Sequence, residues 1–140
     1  MSVQFSPTFI ALAKAEQAIA AAKAKGDEFG LPFTISILDA GAHLIALSRQ
    51  DGAALAAIET SQTKARTSVL FGQATKDLAA VVQPGAPLFG IESATRDPLA
   101  FVAGGIPVRD AKGVVIGAIG VGGGSPDQDH EVAEAARAAL

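Results

Sequence analysis

The sequence predicts an α+β fold, a five-stranded antiparallel sheet with helices packed on it in the order α-β-β-α-α-β-β-β-α. Two observations carry this. Helical apolar spacing alternates with short runs rich in Val, Ile and Phe. Those runs are joined by turns too short for a crossover, and strands connected so tightly have to run antiparallel. At 140 residues the chain reads as one domain, 1–140, long enough to bury roughly 70% of its unfolded surface.

Ser6 and Pro7 offer an N-cap and first-turn pair, after which Phe9, Leu12, Ala15, Ile19 and Ala22 keep one apolar face as far as Gly26. From Pro32 the alternation of Phe33, Ile35 and Ile37 with Thr34 and Ser36 predicts a strand over 32–39. The turn "DAGA" then returns a partner over 43–48. Asp51 and Gly52 start a second helix whose Leu55, Ile58, Ala65 and Val69 are expected to face the core, with Gln62 on the same stripe, ending near Gly72. Thr75 is expected to cap a short third helix running through Val82, before Pro84 and Gly85. "PLFGIESATRDP" has no period and reads as a loop with one helical turn. "LAFVAGGIPVRDAKGVVIGAIGV" then supplies three strands, broken at Gly104–Gly105 and at "DAKG". The last strand, 114–121, feeds a helix over 127–140, whose Ser125, Pro126, Asp127 and Gln128 fit N-cap, N1, N2 and N3 of a capping box.

Glycines 120 to 124 precede that helix and raise the question of a phosphate cradle. The spacing Gly120, Gly122, Ser125 lacks the last glycine of G-x-G-x-x-G, and no G-x-x-x-x-G-K-[ST] occurs. Asp127 and Asp129 already occupy the positive end of the helix and would repel a pyrophosphate. No nucleotide cofactor is therefore expected, and the glycines read as a strand-to-helix corner that can wall a pocket.

Zero cysteines exclude disulfides and thiolate metal sites, and no structural metal is expected. A net charge of −3 without a basic cluster, and the lack of Trp and Tyr, argue against nucleic acid. No apolar run approaches the ~20 residues of a membrane span, and "MSVQFSPTF" lacks the pattern of an export signal, so a cytoplasmic protein with no membrane partner is expected. Fifteen Gly and abundant Ala point to close packing and to a homo-oligomer.

The stretches "ISILDAGAHLIALSRQDGA" (35–53), "KARTSVLFGQAT" (64–75), "GGIPV" (104–108) and "GVVIGAIGVGGGSPDQD" (113–129), in this order and spacing, resemble the GlcG/HbpS-like family. This is the haem-degrading domain also found at the C-terminus of PduO-type proteins. The resemblance implies a profilin-like antiparallel sheet, self-association, and, for some members, haem binding or slow haem degradation. Fold transfers by such a likeness better than function. The family's final loop usually reads G-V-S-G-G, whereas position 122 here is Gly, so a corner hydroxyl is missing.

With haem as the implied ligand, His43 and His130 are the available imidazoles, Cys and Tyr being absent. His43 begins a strand and alternates with Ile45 and Leu47, which reads either as an iron ligand at the rim of the apolar face or as a rim histidine bonded to its turn. His130 stands among carboxylates and reads as a solvated surface residue. Lys64 and Arg66, with Arg49 and Asp51 at the rim, read either as a hydrogen-bonded polar stripe or as an anion clamp for a propionate or a small acid. Thr67 is a further hydroxyl on that helix, and Gly122 and Gly123 are candidate pocket wall. Asp39 reads as a turn former. No paired carboxylates, catalytic triad or H-x-x-x-H pattern names a reaction. The expected function is small-molecule binding, haem or a related tetrapyrrole; the alternative is an accessory enzyme or binding protein for a small carboxylic acid.

Overall fold

Two aspartates set the hairpins. Asp39 Oδ1 accepts from the amides of Gly41 and His43 at 2.8 and 2.9 Å, as expected of a turn former, and Asp110 Oδ1 does the same for Lys112 and Val114. The first closes β1 (Thr34–Asp39) on β2 (Leu44–Arg49), the second β3 (Gly105–Arg109) on β4 (Val115–Gly122). The computed structural model describes residues 10–140, so Ser6, Pro7 and Phe9 lie outside the described residues. All pairs are antiparallel, in the order β2-β1-β4-β3.

The sheet has four strands where five were expected. The apolar run 99–103 is not a strand because its backbone groups are claimed by side chains. The Ala100 amide donates to Thr67 Oγ1 at 2.9 Å, and the Val102 carbonyl accepts from Thr75 Oγ1 at 2.6 Å. Gly104, at φ +127, then swings the chain into β3, a conformation that L side chains rarely adopt.

Helix α1 (Leu12–Phe29) passes the expected end at Gly26 and stops at Gly30, a left-handed cap whose amide returns to Asp27 O. Gly26 is packing rather than punctuation: a Cβ there would lie 2.7 Å from the Phe33 ring. Ala15, Ala18, Ile19 and Ala22 of α1, with Val132, Ala133 and Ala136 of α4 (Pro126–Ala138), cover one sheet face through Phe33, Ile35, Ile37, Ile106, Ile119 and Val121. The capping box forms as expected, with Ser125 Oγ accepting from Gln128 N and Gln128 Oε1 from Ser125 N.

Helix α2 (Ala57–Phe71) covers the other face, and the expected core stripe holds at Ala65, which is buried, and at Val69, which packs beside it, but fails at its earlier positions. Leu55 precedes the helix and is 74% exposed; Ile58 and Gln62 are only partly buried. The buried face is Ala57, Ser61, Lys64, Ala65, Thr67 and Ser68, small or polar because α2 lies directly on the sheet backbone. A Cβ on Gly120 would meet Ser61 O at 1.8 Å, and one on Gly105 would meet Lys64 O at 2.3 Å. Polar groups sealed so closely have to pair with each other, and Ser36 Oγ and Ser61 Oγ stand 2.7 Å apart. The helix ends, as expected, at Gly72 in the left-handed region.

Thr75 is not the cap of α3 (Thr75–Leu78) but its first residue. Its hydroxyl accepts from Gly105 N besides binding Val102 O, so it clamps the segment before β3. Short 3-10 turns follow at Ala79–Val82 and Ile91–Ala94. No described helix is long and apolar enough to cross a membrane.

Candidate functional site

The cationic stripe expected on α2 does not assemble as a clamp. Lys64 points into the protein: its Nζ donates to Asp129 Oδ2 at 2.6 Å and to Val121 O at 3.0 Å, with side-chain exposures of 7% for Lys64 and 4% for Asp129. Asp129 Oδ1 accepts from Gly124 N. Burial pushes the Asp129 carboxyl above the usual carboxylate range, opposed by Lys64 and the Gly124 amide. Lys64 therefore pins the β4–α4 corner and is closed to an anion. Thr67 is likewise structural, holding Thr63 O and Ala100 N. Gly122 and Gly123 belong to the corner: a Cβ on Gly123, at φ +130, would meet Pro32 O at 2.7 Å, and one on Gly122 would meet Thr60 Oγ1 at 3.0 Å.

Arg66 reaches the surface but is committed. It donates to Pro98 O at 3.1 Å and lies 3.5 Å from the Asp97 carboxylate, tying α2 to the 97–98 segment. It edges a cleft of about 160 Å³ with Leu38, Ala42, Leu44, Gln62 and Thr63, smaller than the roughly 300–1,000 Å³ of ordinary ligand pockets. Arg49 is exposed at the end of β2 and lines none of the clefts described here.

His43 is not tucked under an apolar rim. Its side chain is 81% exposed on the Asp39 turn, Nδ1 lying 3.3 Å from Asp39 Oδ1. Asp39 Oδ1 is already taken by the Gly41 and His43 amides, so the ring stands open to solvent beside the turn. His130 is the reverse of the expected solvated residue: its side chain is 18% exposed, Nε2 faces Glu134 at 3.5 Å, and Nδ1 is buried without a partner. The turn of α4 that buries Asp129 brings His130 inward with it.

Residues not singled out in the sequence form a larger cleft. Ile10 and Ala11 before α1, Pro107 and Val108 of β3, Ile116 of β4 and Leu140 enclose about 390 Å³, mostly apolar, with Lys14, Arg109 and Arg137 around it. These cations are scattered over three elements, so no local motif announces them. The register aligns Val108, Gly117 and Asp39 across the sheet, placing His43 at the same end as this cleft. Three strand spacings separate β2 from β3, about 14 Å at ~4.8 Å each. Among the described residues no group of three His, Asp or Glu is placed to hold a bare metal ion.

The family described as haem degrading protein HbpS-like matches residues 10–138. The chain is 36% identical over 127 residues to an uncharacterized 15.0 kDa protein of the dhaT-dhaS intergenic region of Citrobacter freundii, covering 91% of this chain and 89% of that one. It is 37% identical over 120 residues to the corrinoid adenosyltransferase PduO of the same organism, covering 86% of this chain but 36% of PduO, so it spans about a third of that relative. Among solved structures, the PduOC:heme complex superposes with a TM-score of 0.89 at 33% identity, covering 94% of this chain and 95% of that one. An α+β fold with an antiparallel sheet, the stretches quoted above and a match over residues 10–138 agree: the chain belongs to the HbpS-like haem-degrading family.

Proposed function

We propose that this protein binds haem or a related tetrapyrrole. The observation that carries the reading is the apolar cleft of about 390 Å³ with Lys14, Arg109 and Arg137 around it. A haem is an apolar plane with two carboxylates on one edge, and it needs apolar walls beside cations. Arginine suits the carboxylates, offering two parallel N–H donors to each. The residues present fit the group. Ile10, Pro107, Val108 and Ile116 would hold the macrocycle, and the three cations its propionates. When bound, haem would supply iron-centred redox chemistry that the side chains lack.

His43 is the proposed iron ligand, because its ring is exposed, whereas the His130 ring is mostly buried with Nε2 facing Glu134. Within one chain His43 and the cleft lie strands apart, so a homo-oligomer is the arrangement that lets both serve one haem. Exposed Leu12 and Val114 near the cleft and Leu44 beside His43 support such association. The carboxylic-acid reading is weaker at Arg66, whose guanidinium already faces the Asp97 carboxylate as well as the Pro98 carbonyl.

Haemin titration followed at the Soret band tests this. Saturable binding is expected, with His43→Ala moving the band and weakening binding, His130→Ala leaving both nearly unchanged, and Arg137→Ala weakening binding by about tenfold without moving the band. Light scattering of the haem-loaded protein should show a species larger than 14 kDa. Unsaturable haemin uptake by the parent protein would overturn the reading; an unaltered band in His43→Ala would remove His43 alone.

A further inference from the structure

A second cleft, about 460 Å³ and largely polar, opens between α3, the end of β3 and α4. Its charged groups are Lys76, Asp77, Arg109, His130, Glu134 and Arg137. Glu134 is spent locally, bonded to Arg137 and facing His130. Arg109 is different. Its terminal nitrogens donate to Gly113 O at 2.8 Å and to Gly72 O, both neutral carbonyls, so the guanidinium is held in place while its charge pairs with no carboxylate among the described residues. A guanidinium carries five N–H donors, and these two bonds leave three. Lys76 makes no ion pair among the described residues. Three permanent cations against two carboxylates leave the cleft positive in a protein whose net charge is −3.

We propose that this cleft is a binding site for a small oxyanion, a carboxylate or a phosphate group, with Arg109 as the fixed donor, Lys76 as the mobile cation closing on it and Arg137, paired with Glu134, at its edge. A preoriented guanidinium loses little freedom when it binds, and its planar fork matches two oxygens of one anion. The size suits a molecule of a few carbons rather than a polymer, since the cleft is bounded by α3 on one side and α4 on the other. The site is distinct from the apolar cleft in using Lys76, but the two share Pro107, Arg109 and Arg137, so anion and tetrapyrrole should compete where both bind. The proposal does not rest on haem binding.

The test is NMR titration of the haem-free protein with succinate and, separately, inorganic phosphate, each against sodium chloride at equal ionic strength. Saturable shifts at Lys76, Arg109 and His130 with a dissociation constant of about 1 mM or tighter are expected for at least one probe. The probe that binds more tightly names the class. Lys76→Ala, on an exposed turn, should weaken that affinity by about tenfold while leaving haemin titration as in the parent protein. Shifts no larger than those from chloride for both probes would overturn the proposal, as would affinity unchanged in both Lys76→Ala and Arg137→Ala, which would place the anion elsewhere. Because the anion titration contains no haem, its failure and a failure of haem binding are read separately.

Discussion

Replacing Lys64 by Met keeps most of the side-chain stem in the α2–sheet interface and removes only the ammonium. In the parent protein that ammonium is the charged partner of Asp129 and a donor to Val121 O, and both side chains of the pair are more than nine-tenths buried. Removing one member of a buried pair leaves an uncompensated charge, which costs about 3–5 kcal/mol. The Gly124 amide still donates to Asp129 Oδ1, which argues for the lower half of that range. At about 3 °C per kcal/mol for a chain of this size, the lower half of that range corresponds to a fall in melting temperature of roughly 9–12 °C. The perturbation also has a pH signature. Burial already raises the Asp129 carboxyl above its unfolded value near 3.8, and loss of Lys64 removes the chief force holding it down. A carboxyl whose folded value is raised binds its proton more tightly when folded. Its contribution is therefore full below the unfolded value and is lost as pH rises through the folded one. The Lys64→Met protein should accordingly be closer to the parent in stability at pH 5 than at pH 7.

Urea unfolding at both pH values measures this, with the double variant Lys64→Met/Asp129→Leu as the control. Taking away both charges should recover at least half of the loss, because the cost lies in the orphaned carboxylate rather than in the missing attraction. A loss below about 1 kcal/mol for Lys64→Met, or a double variant no more stable than the single one, would refute the view that the pair is sealed and mutually dependent.

Gly120→Ala should cost more than about 3 kcal/mol or prevent folding, since its Cβ would fall 1.8 Å from Ser61 O; refolding yield and urea midpoint check it. Ser125→Ala should cost about 1 kcal/mol by removing the acceptor for Gln128 N, readable as a small shift in the same midpoint. Thr75→Val keeps the shape but removes the hydroxyl that binds Val102 O and Gly105 N; it should cost about 1–3 kcal/mol and speed hydrogen exchange at the Gly105 amide. ATP and NAD at millimolar concentration should give no thermal shift, because the corner amide of Gly124 is already bound by Asp129.

What the sequence disclosed was the chemistry that acts within a few residues. Asp39 and its two amides, the Ser125–Gln128 box and the Gly72 terminus all act over four residues or fewer, and each is present. The errors are all long-range. The run 99–103 has strand composition, but Thr67 and Thr75, 33 and 27 positions away, bind its backbone instead of a fifth strand. The core face of α2 includes Ala65 and Val69, as expected, but otherwise presents Ser61 and Lys64 in place of Leu55 and Ile58. A usable signal was present: glycines at 105 and 120, inside two β-branched strands, mark places where another backbone approaches closely. A helix resting on such glycines has to offer small residues, and the stripe Ala57, Ser61, Ala65, Ser68 satisfies that at helical spacing.

The same inversion moves the candidate site. Lys64, Arg66 and Thr67 look available in the sequence because three polar residues in four positions on a helix are ordinarily solvated. Their polar atoms are instead the fastenings of the 97–104 segment and of the β4–α4 corner, so a ligand could use them only by displacing structure. The cations left for chemistry are those whose charge the fold does not neutralise. Arg109 is the clearest, bonded among the described residues to carbonyls at the end of an edge strand, with Lys14 and Lys76 contributed around it by two helices and Arg137, paired with Glu134, by a third. Among the described residues the side chains of Lys14, Lys76 and Arg137 make no hydrogen bond to α2, whereas Arg109 also holds the end of α2 through Gly72 O. Binding properties at this end can therefore change while the buried Gly and Ser contacts remain fixed, which is why a shared fold constrains the identity of its ligand so weakly.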